Sequence, residues 1–235
     1  MNLKPFLLTA LCSLPLVAGG ATFSDNFDGY AAGSQMHGQG GWKGWDNNVA
    51  FGAFVNNDFF SSTPNSVTIE GASDLVHEFT GATSGQWTFS CDQFVPSTSA
   101  GDSYIILLNA YVDGGPNNWS MDVHMNMGTN QVISDEAGAG GPLTLIKDQW
   151  VPFRVDINLD TNTMSAYYNN QLLTTHIWAT GANSAMAIAA LDLYANNAGP
   201  VMYDNISLVP EPSMSVLMLA GAVALGTARR RRMRG

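Results

Sequence analysis

The sequence between residues 22 and 208 predicts an all-β sandwich, and three observations carry that prediction. Two stretches alternate strictly: Trp119, Met121, Val123, Met125 and Met127 share one face while Ser120, Asp122, His124 and Asn126 share the other. Val151, Phe153, Val155, Ile157 and Leu159 repeat the pattern, with Arg154, Asp156, Asn158 and Asp160 turned away. Turn chemistry punctuates the chain at Asp113–Pro116, Gly138–Pro142, Asp160–Asn162 and Asn196–Pro200, and no convincing run of helical period lies between Thr22 and Leu208.

In chain order, the first 21 residues read as a secretory signal peptide. Lys4 is the only charge before Asp25, Phe6–Val17 is apolar, and the small residues Ala18–Ala21 place cleavage near Ala21. Glycines surround Trp42 and Trp45 in the run Gly40–Trp45, which reads as a loop, since glycine weakens strand interiors. Further strands are expected at Phe51–Val55, Ser66–Glu70, Leu75–Thr80, Gln86–Val95 and Ser103–Val112. Met164–Tyr168, Ala185–Tyr194 and Val201–Leu208 follow. Cys91 is the only cysteine of this segment, so it has no partner there and reads as a small buried apolar residue.

The tail, 209–235, has three parts: Val209-Pro210-Glu211-Pro212-Ser213, an uncharged apolar run 214–228, and an arginine-rich end 229–235. The prolines lack backbone donors, so no regular element is expected through them. As a transmembrane helix the 15 apolar residues would span roughly 22 Å, so snorkelling arginines must make up the ~30 Å of a hydrocarbon core. The arginines should stay cytoplasmic, leaving the middle segment outside.

That middle segment holds three basic and eighteen acidic residues, a formal charge of −15. Such a charge argues against nucleic acid and anionic lipid as partners and permits divalent cations.

Two resemblances add to these readings. A Pro-Glu-Pro signal, a short membrane segment and a terminal arginine cluster resemble the PEP-CTERM sorting tail. That likeness implies export, a membrane-anchored intermediate, and processing by the transpeptidase exosortase, with Val209, Pro210, Glu211, Pro212 and Ser213 as the sorting motif. Residues Phe23–Tyr30 and Tyr203–Ser207 look like the paired terminal strands of laminin-G and concanavalin-A-like jelly rolls, and Trp150–Ile157 with Met164–Leu172 resembles a hairpin of that superfamily. The implied architecture is a jelly-roll β-sandwich over 22–208.

Candidate sites each admit a structural reading beside the functional one. No Glu-x-Asp-x-Glu run supplies the carboxylate pair of a retaining glycosidase, so no catalytic residue is named. Asp156, Asn158 and Asp160 open like a calcium loop, but Thr161 and Tyr167 stand where it needs glycine and a bidentate glutamate. Asp25, Asp28 and Asp204 either cap turns or clip the chain ends through a structural Ca2+; no other cofactor is required. Trp42 and Trp45 either lid the core or stack on sugar rings. Asp122, His124 and Asn126 share a strand face that is either solvated or sugar-binding. The expected function is adhesive or matrix-associated, through extracellular polysaccharide. A glycan-cleaving enzyme and an inert surface scaffold are the alternatives.

Overall fold

The computed structural model describes residues 22–136, 138–180 and 184–211. The signal segment 1–21, and Pro212, Ser213, the apolar run 214–228 and the basic end of the tail, lie outside the described residues. Among the described residues no helix is long and apolar enough to cross a membrane.

Strands dominate what is described. β1 (Phe23–Asp25), β2 (Trp42–Gly44), β3 (Phe54–Asn56), β4 (Ser66–Ile69) and β5 (Asp74–Glu78) are short. β6 (Gln86–Phe94), β7 (Asp102–Ala110) and β8 (Asn118–Asn126) are longer. β9 (Gln131–Ser134), β10 (Ala139–Gly140) and β11 (Leu143–Thr144) lead to β12 (Trp150–Asn158). β13 (Thr163–Tyr168), β14 (Gln171–His176), β15 (Ala190–Asn196) and β16 (Val201–Pro210) complete the order. Every pairing is antiparallel. One nine-stranded sheet runs β10-β14-β13-β12-β6-β16-β4-β3, with β1 also on β16; a seven-stranded sheet runs β11-β9-β8-β7-β15-β5-β2.

The two sheets close over one apolar core, as period-two alternation requires. Val151, Phe153, Val155, Ile157 and Leu159 all lie inside it, and so do Met121, Val123, Met125 and Met127. Cys91 is buried among them as a free thiol. The chain ends meet as the superfamily resemblance implies, with Phe23 opposite Leu208 and Asp25 opposite Ile206. The expected hairpin is β12–β13, with Phe153 opposite Tyr168.

Three expectations need correction. Trp119 does not share the face of Met121. The register with β7 steps so that Leu107 faces Met121 while Leu108 faces Trp119, and Ser120 is the extra residue of a bulge that turns Trp119 outward. Residues 42–44 are not loop: they form β2, paired with β5. The glycines serve close approach here, since a side chain on Gly44 would collide with the backbone of Asn48 and one on Gly41 (φ +86°) would meet His77.

Thirdly, a strand does enter the sorting motif. β16 runs through Val209 and Pro210 opposite Thr88 and Trp87, and the Glu211 amide donates to Gln86 O at 2.8 Å. Proline is tolerated because the ladder hydrogen bond to β6 is made by the Glu211 amide, so the proline before it has no donor to supply there. Thr88 Oγ1 donates to Glu211 Oε1 at 2.7 Å. Ending the chain at Leu208 instead of Glu211 should therefore lower the unfolding temperature by a few degrees, at about 1 kcal/mol per lost hydrogen bond. Calorimetry on the two truncations checks this, and coincident transitions would assign no stability to the strand end.

Candidate functional site

The seven-stranded sheet has an inner and an outer face. Leu75, Ile105, Leu107, Val123, Leu191 and Leu193 point into the core. Val76, Ile106, Leu108 and Ala190 form a separate apolar strip outside, with Trp45, Tyr104, Tyr111 and Tyr194 packed along it. Register aligns the outer positions into rows across β5, β15, β7 and β8. One row reads Asp74, Tyr194, Tyr104, His124. The next reads Val76, Asp192, Ile106, Asp122, and a third reads Glu78, Ala190, Leu108, Trp119.

Carboxylates are sunk into this face. Asp192 is only 3% exposed, and one oxygen of its carboxyl has no hydrogen-bond partner. Asp74 and Asp122 each bury one such oxygen as well. Burial, and then the charge of Asp74, hold the Asp192 carboxyl well above the usual range; burial raises Asp74 too. The two carboxyls raise each other's preference for the neutral form through burial and like charge, Asp192 being the deeper of the two. Across β7, burial, then Glu136 and Asp135, push Asp122 up to about 7. Glu136, itself raised by burial, accepts from the Asp122 amide at 2.9 Å, and His124 Nδ1 lies 2.9 Å from Asp135 Oδ2.

Aromatic rings frame the acids. Trp45 and Trp119 stack with centroids 6.1 Å apart and planes 18° apart, and Trp119 is 44% exposed. Tyr111 meets Trp45 edge-on at 5.0 Å. Beyond the acidic row, Tyr104 lies 5.5 Å from Tyr194 and 5.2 Å from His124. Lys43 adds little free positive charge, because Glu78 at 2.5 Å and Asp113 at 2.6 Å hold its ammonium. Chemically, this face offers stacking surfaces beside buried carboxyl groups that accept or donate hydrogen bonds.

The predicted residues divide. Asp122, His124 and Trp45 are on this face. Asn126 shares the side of β8 but spends its carbonyl on the Thr129 amide at 2.8 Å, closing a turn. Trp42 is a core residue at 1% exposure, its indole N–H on Asp25 Oδ2 at 2.9 Å, so it presents no ring to solvent. Asp74, Asp192, Tyr104, Tyr194, Tyr111 and Trp119 were missed. Asp192 did leave a signal, a charge inside the apolar run Ala189–Tyr194.

Asp25, Asp28 and Asp204 do not converge on one ligand set. Asp25 accepts from the Phe27 amide, the Tyr30 hydroxyl and Trp42. Asp28 accepts from the Asn65 amide at 3.1 Å, and Asp204 from the amides of Ser61, Ser62 and Asn205. Each carboxylate ties a different loop. Among the described residues no group of three or more His, Cys, Asp or Glu side chains is placed to hold a metal ion. Asn158 caps a turn, accepting from the Asp160 and Thr161 amides, and Asp160 ties a distant loop by accepting from the Gly85 amide at 2.8 Å.

On the other sheet a shallow depression of about 700 Å³ is lined by Arg154, Asp156, Tyr167, Thr88 and Glu211 among others. Its one cation is committed: Arg154 pairs with Asp156 at 3.2 Å and lies over the Tyr167 ring at 4.3 Å. The last of these lining residues, Glu211, is the acid between the two prolines of the tail.

Residues 208–232 match the PEP-CTERM protein-sorting motif. A PEP-CTERM motif implies an exported protein whose C-terminal anchor is processed by exosortase. No curated protein matches the chain in sequence. Among solved structures, a sialidase superposes with a TM-score of 0.53 at 6% identity, over 82% of this chain and 19% of its own. The chain thus spans about a fifth of that sialidase, and the likeness shows a shared β-sandwich fold. The catalytic domain of a glycoside hydrolase family 131 protein from Coprinopsis cinerea gives 0.49 at 13% identity, over 80% of this chain and 93% of that one. The Caenorhabditis elegans galectin LEC-6 gives 0.41 at 11%, over 57% and 88%.

Proposed function

We propose that this chain is an exported, exosortase-processed surface protein whose outer seven-stranded face binds extracellular polysaccharide. The carrying observation is the Trp45–Trp119 stack, partly open to solvent, beside carboxyl oxygens that lack partners within the protein. A pyranose ring fits such a surface: its C–H face packs on indole and its hydroxyls bond the solvent-reaching parts of the half-buried Asp74 and Asp122. Anchoring by the tail before processing would hold this face outside the cell, and exosortase is the one protein partner the sorting motif calls for.

Trp119→Ala should leave unfolding within about 0.5 kcal/mol of wild type, as for other exposed positions. It should also slow less in gels cast with polysaccharide, with roughly a tenfold loss of affinity for about 1–1.5 kcal/mol of lost stacking. Unchanged retardation by every polysaccharide that retards wild type would remove this face from the binding role.

A second reading is glycan cleavage, and one observation favours it. Asp192 and Asp122 occupy the same row with one strand between them, which separates their backbones by about 10 Å. An inverting pair holds its carboxyls about 6.5–9.5 Å apart, a span that side chains on this row can reach, with the more buried Asp192 as the acid. Release of reducing ends from a bound polysaccharide, lost in Asp122→Asn, would select this reading.

A further inference from the structure

Resting on the polysaccharide reading of the outer face, we infer that its ligand is a cationic glycan: an amino-sugar polymer with free amines, whose ammonium groups meet Asp192, Asp74 and Asp122 while its rings pack on Trp45 and Trp119.

Charge is the first reason. The acids acting on Asp192 are Asp74 on β5 and Asp122 on β8, and Asp135 and Glu136, just after β9, act in turn on Asp122. Asp46 lies beside them, its side chain accepting from the Gly114 amide at 2.8 Å. Tyr104 and Tyr194 flank the row. Against these stand His124, already on Asp135, and Lys43, already held by two carboxylates. Uronate, sulfate or sialate groups would therefore meet uncompensated negative charge here.

Burial is the second reason. A protein that merely displays acids for solubility leaves them in water. Asp192 is 3% exposed with an unpartnered oxygen, and Ser120, at 2%, also leaves its hydroxyl oxygen unpartnered. A buried carboxyl without a partner is costly unless something satisfies it. An ammonium seated on the half-buried Asp74 and Asp122 beside it supplies the missing charge most fully, with three hydrogen bonds to donate. The third reason is the rings, because indole and phenol faces attract cations as well as sugar C–H groups.

A consequence follows for pH. The ligand ammonium must displace the protons that burial favours on Asp74 and Asp122. Binding should release protons, and affinity should rise between about pH 5 and 6.5, where an amine stays charged. A neutral glycan donating and accepting through hydroxyls would not require that release.

The test uses the full-length chain in nonionic detergent and four probes: glucosamine hexamer, its N-acetylated counterpart, hexagalacturonate and hexalysine. Calorimetric titrations at two pH values and two salt concentrations give affinity and proton release. The free-amine hexamer should bind at least about tenfold more tightly than the acetylated one, weaken with salt, and release protons. Asp192→Asn and, separately, Asp122→Asn should each reduce that preference several-fold, with unfolding temperatures confirming that both variants fold. Equal affinity for the free-amine and acetylated hexamers, or a preference for galacturonate, overturns the inference and leaves the polysaccharide reading intact. Hexalysine binding as tightly as glucosamine hexamer overturns it too, because charge alone would then suffice. Binding of no saccharide at all removes the polysaccharide reading of this face as well.

Discussion

Replacing Trp42 with alanine is expected to cost about 3–5 kcal/mol of stability, the largest single effect anticipated in this protein. The indole is 1% exposed and sits among Phe23 at 6.0 Å, Phe27 at 5.7 Å and His77 at 5.0 Å, centroid to centroid. It joins β1 and the turn after it to β5, because Phe23 belongs to β1, Phe27 follows it and His77 belongs to β5. Its N–H also satisfies Asp25, so truncation leaves both a cavity and a weakened carboxylate anchor. Trp42→Phe should cost less, filling part of the space but still losing that hydrogen bond. Urea unfolding midpoints separate the cases. A variant as stable as wild type would contradict the core placement of this ring.

Asp192→Asn is expected to do the opposite: stabilise the protein at neutral pH while impairing the outer face. A raised native pKa means that the folded chain holds its proton more tightly than the unfolded chain does. The stabilisation is therefore complete below the unfolded value, near pH 4, and is lost as pH rises through the native value. For Asp122 that loss runs up to about pH 7, and the raised Asp192 carboxyl loses stability in the same direction. Wild type should consequently unfold at a higher temperature near pH 5 than near pH 8. Asparagine imitates protonated Asp192, being neutral at every pH. The variant should gain on the order of 1–2 kcal/mol at pH 8, a shift of several degrees, with a flatter pH profile. Thermal melts across that range decide it, and an unchanged slope would mean that Asp192 does not titrate as its burial requires. A residue that destabilises the free protein yet lies in the candidate site is what a binding role would preserve.

Local pattern determined much of this molecule. Alternation in Val151–Leu159 and Met121–Met127 placed those side chains in the core, because the strand period is set by backbone geometry and needs no knowledge of partners. The tail was legible for a similar reason, as its proline signal, apolar run and arginines are contiguous. Tertiary structure decided the rest. Whether Trp42 lay in the core or in a loop depended on β5 accepting it as a partner, and its glycines were needed for tight packing against Asn48 and His77. The bulge at Ser120, which turns Trp119 outward to stack on Trp45, exists only in the register between β7 and β8. Asp74, Asp192 and Asp122 lie on strands distant in sequence and become neighbours through the order β8-β7-β15-β5. Their shifted protonation comes from burial and mutual charge, both properties of assembled neighbours. A single aspartate in an apolar run shows none of this until the sheet is formed.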